Sequence, residues 1–169
     1  MSIKNNWLNL SPNTKFIISY FFWFLILFGI FYWGKYWSYS PIGKIIDFYI
    51  RKEIMTILDS FLQNKILNYN IVINPKYHIV ITPECNGLIP YLILLSAIVA
   101  YSCKIAIKIF WAILGFIIFF IANIIRLIVV VEVVNSYGSE AFYYIHDIAG
   151  NIFLIIIGMI LFTSYLKRC

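Results

Sequence analysis

A cysteine, an arginine and a histidine in the second half of the chain could together perform nucleophilic chemistry. Cys85 supplies a thiol, which attacks a carbonyl carbon once it has lost its proton. His146 is one of only two histidines in the sequence and could take up and return that proton near neutral pH. Arg126 supplies a fixed positive charge that could stabilise a thiolate or an oxyanion. These residue types predict a nucleophile, a proton shuttle and an electrostatic stabiliser, provided that the fold brings them together.

Arg126 is the strongest single signal, because it is the only charge in an apolar run at residues 109–131. An arginine in the middle of a membrane-spanning helix costs about 2.5–3.5 kcal/mol or more, so it normally faces the protein interior and has a partner. Asn123 lies three residues earlier on the same helical face and could hold the guanidinium. The alternative is a side chain that snorkels to the lipid headgroups. The position of Arg126 in the run predicts a depth of about 7–8 Å below the outer boundary.

Cys85 stands just before Gly87, where the second apolar run begins. A helix start and a nearby cation would both lower the pKa of a thiol. The alternative is a small, buried and unreactive side chain. We interpret Glu84 as an interfacial acid, although it could pair with Arg126. A metal site made of Cys85, Glu84 and His146 would have mixed ligands without ligand-pair spacing, so we predict no metal and no cofactor.

His146 stands just before the fourth apolar run, and Gly150 follows on the same helical face. A glycine there would let a neighbouring helix or a substrate approach closely. The alternative for His146 is an interfacial hydrogen-bonding role. Asp147 is interpreted as a capping or water-facing residue that could orient a neighbour. His78, the other histidine, is predicted to lie on the surface of a hairpin and is the only rival base.

The elements that must position these residues are membrane helices. The sequence is 63% hydrophobic and only 12% charged, whereas soluble domains are about half apolar and a quarter charged. Apolar runs of roughly 17–25 residues are long enough to cross a bilayer as helices. The sequence therefore predicts an all-α integral membrane protein with one domain, 1–169, and four transmembrane helices. These spans are residues 16–34, 87–103, 109–131 and 148–166.

The segment at residues 35–84 is predicted to add two smaller elements. Residues 42–67 carry apolar side chains at a three-and-four spacing, which indicates an amphipathic helix. This helix could lie on the outer membrane surface or pack as a cover on the bundle. Two β-branched runs at 71–73 and 77–81 flank Asn74-Pro75-Lys76, which predicts a short β-hairpin.

The distribution of basic residues predicts the orientation. If both termini are cytoplasmic, the inner segments carry six basic residues and no acid, and Cys85, Arg126 and His146 all lie on the outer side. The net charge of +6 is then a topology signal, and we predict no nucleic-acid partner. Cys103 and Cys169 would face the cytoplasm, where thiols stay reduced, so the three cysteines predict no disulfide framework.

Three short segments carry the candidate residues in a fixed order. They are Pro83-Glu84-Cys85-Asn86-Gly87-Leu88, Ala122-Asn123-Ile124-Ile125-Arg126 and His146-Asp147-Ile148-Ala149-Gly150. In order and spacing they resemble the motifs of the exosortase/archaeosortase family of membrane transpeptidases, over about residues 82–159. That family shows a Cys-Ser-Gly-Leu-like helix start, an Ala-Asn-x-x-Arg segment and a later His with Gly four residues on. This chain departs from it at Asn86, where serine is common, and at Ile89-Pro90, where the family often has arginine, and looks like a compact member.

The resemblance implies a cell-membrane enzyme whose partners are membrane lipid and secreted proteins with a C-terminal tail helix. It would cleave the sorting tail at the outer membrane–water interface and pass the acyl group to an envelope acceptor, a lipid or a glycan. Cys85 would be the nucleophile, Arg126 would stabilise the thiolate or oxyanion, and His146 would move protons. One alternative is a non-catalytic scaffold subunit in which Arg126 pairs with a partner helix. Another is a cysteine protease that releases its product to water.

Overall fold

A computed structural model describes residues 10–32 and 40–169 as helices around a small sheet. The described part of the chain runs through two helices, three short strands, one 3₁₀ turn and then further helices. We number the α-helices α1 (Pro12–Phe31), α2 (Pro41–Phe61), α3 (Leu88–Ala100), α4 (Ile105–Tyr137) and α5 (Gly150–Leu166). The strands are β1 (Ile66–Leu67), β2 (Asn70–Asn74) and β3 (Tyr77–Val80). The 3₁₀ turn is Pro83–Asn86, and a π-helical segment, Tyr143–Ala149, runs directly into α5.

Three helices in the described part of the chain are long and apolar enough to cross a membrane. They are Pro12–Phe31, Ile105–Tyr137 and the continuous helix Tyr143–Leu166. They correspond to three of the four predicted spans, although residues 33–34 of the first prediction lie outside the described residues. The protein is therefore a mainly helical membrane protein.

The second predicted span, 87–103, forms a shorter helix than expected. Helix α3 has 13 residues, which gives a length of about 20 Å, whereas the hydrocarbon core is about 30 Å thick. Gly87 adopts a left-handed conformation (φ 75°), so the helix begins only at Leu88. At the other end Tyr101 is extended. The prediction of four full-length spans is not confirmed.

Helix α4 is longer than the predicted span 109–131. It has 33 residues and ends at Tyr137, with Gly138 as its C-cap, because the polar residues after Val131 do not interrupt the helical backbone. The sequence predicted that Arg126 lies close to the end of this helix. In the structure Arg126 lies well inside the helix. The extension buries Val134 in the same core as helix α2 and the hairpin.

Helix α2 is the predicted amphipathic helix, and it ends at Phe61, earlier than residue 67. Ser40 caps its first turn by accepting a hydrogen bond from the Gly43 amide at 2.9 Å, and the Ser40 hydroxyl also donates to the Ile30 carbonyl at the end of α1. Its inner face, which includes Ile54 and Leu58, is fully buried in the main core. This burial agrees with the packing interpretation.

The predicted hairpin is present as strands β2 and β3, which pair antiparallel with Ile71 opposite Ile79. Both side chains are buried. A third strand, β1, pairs with β2 and was not predicted, because two residues are too few to show a periodicity. Asn64 and Asn135 join this region to α4 through reciprocal amide hydrogen bonds of 3.2 and 3.0 Å.

The two cysteines that were expected to be reduced thiols are bonded to each other. Cys103 and Cys169 form a disulfide with a Cα–Cα distance of 5.3 Å. The expectation was wrong because the segments that follow α3 and α5 end side by side, which the sequence alone does not reveal. Disulfides persist mainly in oxidising compartments, with proteins of hyperthermophiles as an exception. The predicted cytoplasmic location of this end of the bundle therefore stays a prediction.

Candidate active site

Cys85 lies in the 3₁₀ turn between strand β3 and helix α3 and is buried. Its amide donates to the Thr82 carbonyl at 2.9 Å, and its Sγ is 3.4 Å from the Thr82 hydroxyl. Asn123 on α4 donates from Nδ2 to the Cys85 carbonyl at 2.7 Å. The thiol is thus held on a turn with fixed backbone contacts on two sides.

A buried polar network supports this turn from helix α2. Asn86 accepts a hydrogen bond from the Leu88 amide at 2.8 Å and donates to Asp47 Oδ1 at 2.9 Å. Asp47 also pairs with Arg51 at 2.6 Å, and Arg51 donates to the Ile81 carbonyl at 3.4 Å. Sequence reasoning missed this network. The available signal was an acid, Asp47, on the apolar face of an amphipathic helix.

Arg126 lies inside the bundle, and only 7% of its surface is exposed. Its Nη1 donates to Asn123 Oδ1 at 3.3 Å, the contact that the sequence predicted. Its Nη2 lies 3.1 Å from His146 Nε2 and donates to the His146 carbonyl at 3.2 Å. The side chain therefore does not snorkel to the lipid headgroups.

His146 lies in the π-helical segment, on the same continuous helix as α5 and not ahead of it. Its Nε2 is 3.5 Å from Cys85 Sγ, and its Nδ1 is 2.7 Å from Asp147 Oδ1. The Phe142 ring stacks on the imidazole with centroids 4.8 Å apart. The structure thus brings Cys85, Arg126 and His146 together, and it adds Asp147 as the group that orients the imidazole.

The hydrogen-bond partners assign the tautomer of His146. A guanidinium can only donate, so Nε2 must offer a lone pair to Arg126 Nη2. Nδ1 then carries the proton and donates it to the Asp147 carboxylate. In this neutral form Nε2 can also accept the proton of the Cys85 thiol. When it does, Nη2 loses Nε2 as an acceptor and keeps the His146 carbonyl.

Two glycines allow the close approach of the helices at the site. Gly87 has φ 75°, and a Cβ there would lie 3.1 Å from Asn123 Cβ. At Gly150 a Cβ would overlap Arg126 Nε, so the predicted close approach is made by the arginine itself.

Two other candidates from the sequence lie apart from these contacts. Glu84 is exposed on the 3₁₀ turn. Within residues 10–32 and 40–169, the hydrogen bonds of Arg126 go to Asn123 and His146 and not to Glu84. His78 is exposed on β3, as predicted for a hairpin surface residue.

The surroundings of Cys85 favour its thiolate. Burial raises the pKa of the thiol and is the largest single influence on it. Hydrogen bonds with His146 and Thr82, together with the positive charge that the imidazole can gain, lower the pKa and outweigh burial in sum. The resulting pKa lies below the ordinary value for a cysteine. A thiol, a proton acceptor and a fixed cation in contact are suited to nucleophilic attack on a carbonyl.

Comparison with known proteins finds similarity to membrane enzymes of one family. The family model for transmembrane exosortases matches residues 14–163. The chain is also similar to a probable archaeosortase E from Methanocaldococcus jannaschii, with 30% identity over 170 residues that cover 98% of this chain and 85% of the relative. No solved structure matches significantly.

Proposed function

Because this chain belongs to the exosortase/archaeosortase family, we propose that it is a membrane cysteine transpeptidase that cleaves C-terminal sorting tails. Its substrates would be secreted proteins that end in a single tail helix. The acyl group would pass to an envelope acceptor, a lipid or a glycan. The reaction would take place at the non-cytoplasmic membrane–water interface, with both termini of the chain in the cytoplasm.

One observation carries this proposal: the buried thiol of Cys85 and the guanidinium of Arg126 contact the same imidazole nitrogen of His146. Cys85 Sγ lies 3.5 Å from His146 Nε2, and Arg126 Nη2 lies 3.1 Å from it. A nucleophile within reach of its base, and a base oriented by a third group, is the arrangement that nucleophilic catalysis requires. Asp147 supplies that third contact at 2.7 Å.

The proposed first half-reaction forms a thioester. His146 Nε2 accepts the thiol proton, and the Cys85 sulfur adds to the substrate carbonyl carbon. The oxygen gains negative charge, which the guanidinium of Arg126 stabilises. As the C–N bond breaks, the imidazolium gives its proton to the leaving amine. The tail leaves with a free amino group, and the acyl group stays on the sulfur.

The second half-reaction returns the enzyme to its starting state. A hydroxyl or amine of the acceptor approaches the thioester, and His146 Nε2 takes its proton. The acceptor oxygen or nitrogen adds to the carbonyl carbon, the C–S bond breaks, and the leaving thiolate takes the proton back from the imidazolium. Water in place of the acceptor would give hydrolysis. The mass of the product distinguishes the two, since hydrolysis leaves a free carboxylate and transfer leaves the mass of the acceptor.

A non-catalytic scaffold is the alternative from a different class. In such a scaffold Arg126 would form an ion pair with an acidic residue on a partner helix. Against it, the guanidinium already contacts Asn123 and His146 inside the same chain. A cation with partners of its own has less need of an external acid.

The test replaces the chromosomal gene with variants and follows tail removal from secreted proteins by mass spectrometry. We expect Cys85→Ala and His146→Ala to leave substrates uncleaved. His78→Ala is the matched control, because it removes the other histidine from an exposed position, and it should process normally. Normal processing by Cys85→Ala would refute the enzyme and favour the scaffold.

A further inference from the structure

A cleft of about 210 Å³ lies beside the guanidinium of Arg126, between α4 and the helix that carries His146. Apolar side chains line it, among them Ile125, Val129, Ala149 and Phe153. Ile125 and Val129 are 49% and 42% exposed, so the cleft opens to the outside of the bundle. In a membrane this opening would face lipid, from which a substrate tail helix would arrive.

Arg126, which lines this cleft, carries a hydrogen-bond donor without a partner in the described part of the chain. Among the described residues its Nε is the one buried side-chain nitrogen or oxygen without a hydrogen-bond partner. Leaving a buried donor unpaired is unfavourable, so such a group in a native site calls for an explanation. Gly150, which also lines the cleft, lies directly against Nε, since a Cβ there would overlap it.

We propose that this cleft is the subsite for the substrate residue whose carbonyl carbon Cys85 attacks. That residue carries an aromatic or branched aliphatic side chain, which fills the cleft, while the guanidinium of Arg126 donates to its carbonyl oxygen. The inference rests on the proposed function, since it presupposes an acyl transfer to Cys85.

The size and chemistry of the cleft favour this occupant. A cavity of about 150 Å³ lined by apolar side chains accommodates benzene, so about 210 Å³ gives room for one ring or one branched chain. Glycine would leave the space empty, and a charged side chain would lose its water without a partner. The Cys85 sulfur and the Arg126 guanidinium contact the same nitrogen of His146. A carbonyl that is bound by the guanidinium therefore lies close to the sulfur.

The test uses acetylated amino-acid chloromethyl ketones, which need no knowledge of the sorting motif. The Cys85 sulfur displaces chloride from the methylene carbon, so that a C–S bond forms as the C–Cl bond breaks, and the ketone oxygen takes the place of the substrate carbonyl oxygen. The full-length protein in lipid nanodiscs is treated with the glycine, leucine and phenylalanine ketones. Mass spectrometry gives the second-order rate constant of Cys85 labelling for each.

The wild-type protein should react at least about ten-fold faster with the leucine and phenylalanine ketones than with the glycine ketone, as expected for burial of one apolar side chain. Each rate is first divided by the rate of the same ketone with a free cysteine peptide, which corrects for intrinsic reactivity. The ratio compared below is the corrected rate of the leucine or phenylalanine ketone over that of the glycine ketone. Ala149→Phe and Val129→Phe, on two walls of the cleft, should bring this ratio close to one. Ala106→Phe is the matched control, because Ala106 is exposed near the opposite end of α4 and outside this cleft. It should keep the ratio.

A ratio near one in the wild-type protein would overturn the subsite, and this result is also expected if a lipid acyl chain fills the cleft. A high ratio that survives in both cleft variants, or that is lost in Ala106→Phe as well, would overturn it too. Absence of labelling by every ketone, while iodoacetamide still alkylates Cys85, is a further contrary result. The proposed function is judged separately, by tail processing in cells: processing with a ratio near one removes the subsite and leaves the function.

Discussion

Replacing Asp47 by alanine should weaken both the fold and the setting of Cys85, although Asp47 touches neither the thiol nor the other candidate residues. Asp47 is only 3% exposed. Its carboxylate accepts hydrogen bonds from Arg51 at 2.6 and 2.9 Å and from Asn86 at 2.9 Å. Alanine would leave a partly buried guanidinium without its counter-charge and would remove the hydrogen bond from the Asn86 amide to Asp47.

The expected loss follows from these contacts. Removing one partner of a buried ion pair costs about 3–5 kcal/mol. Arg51 keeps the Ile81 carbonyl and the Tyr69 ring, and its side chain is 18% exposed, so water can reach it. We therefore expect the lower end, about 3 kcal/mol, for Asp47→Ala. Asp47→Asn keeps the shape but loses the charge, which should cost about 1.5–3 kcal/mol.

The assay is the free energy of unfolding from dodecyl sulfate titration in mixed micelles, followed by tryptophan fluorescence. Asp59→Ala is the matched control, since Asp59 is an exposed acid on the same helix, and it should change the free energy by no more than about 0.5 kcal/mol. A second readout is the rate at which iodoacetamide alkylates Cys85, which should rise in Asp47→Ala because the turn loosens. Equal values for Asp47→Ala and Asp59→Ala in both measurements would show that the network does not hold the turn.

Three further outcomes are expected. Iodoacetamide labelling of Cys85 should rise with pH through a midpoint below that of an ordinary thiol. In His146→Ala the midpoint should move upward, because burial still raises the pKa of the thiol while the imidazole no longer lowers it. An unchanged midpoint in this variant would contradict the contact between Cys85 and His146. Gly150→Ala should abolish tail processing without loss of folded protein, since the added methyl displaces the guanidinium beside it; normal processing would be the contrary result. Maleimide mass-tagging of unreduced, unfolded protein should find one free thiol, and three after reduction, because Cys103 and Cys169 are bonded; three tags at the outset would show reduced cysteines.

The features that the sequence predicted well are set by the surrounding lipid and by local sequence pattern, more than by contacts between distant residues. Long apolar runs must be helical in lipid whatever their neighbours are, and three of them appear as long apolar helices. Local periodicity likewise predicted the amphipathic helix and the hairpin. The ordered motifs pointed to Cys85, Arg126 and His146, and the matches of residues 14–163 and of the archaeal relative support the same family.

What escaped prediction depends on contacts between distant residues. The pair of Asn86 and Asp47 joins positions 39 residues apart, and the bonded cysteines are 66 apart. No local pattern encodes either. The length of α3 depends on the left-handed conformation of Gly87, which a hydropathy window does not register. The sequence left open whether Asp147 faces water or orients a neighbour, because this depends on which way the His146 ring turns, and the stacked Phe142 ring packs against that ring.

The most direct test of the central claim is the mass of the intact protein purified from its own cells in acid, which preserves thioesters. Wild-type and His146→Ala proteins are compared before and after treatment with neutral hydroxylamine, and Cys85→Ala serves as the blank. We expect a fraction of the wild-type protein to carry an acyl adduct on Cys85 that hydroxylamine removes, and we expect none in His146→Ala or in the blank. A wild-type protein whose Cys85 is entirely a free thiol, from cells that process their sorting tails normally, would contradict the proposed chemistry.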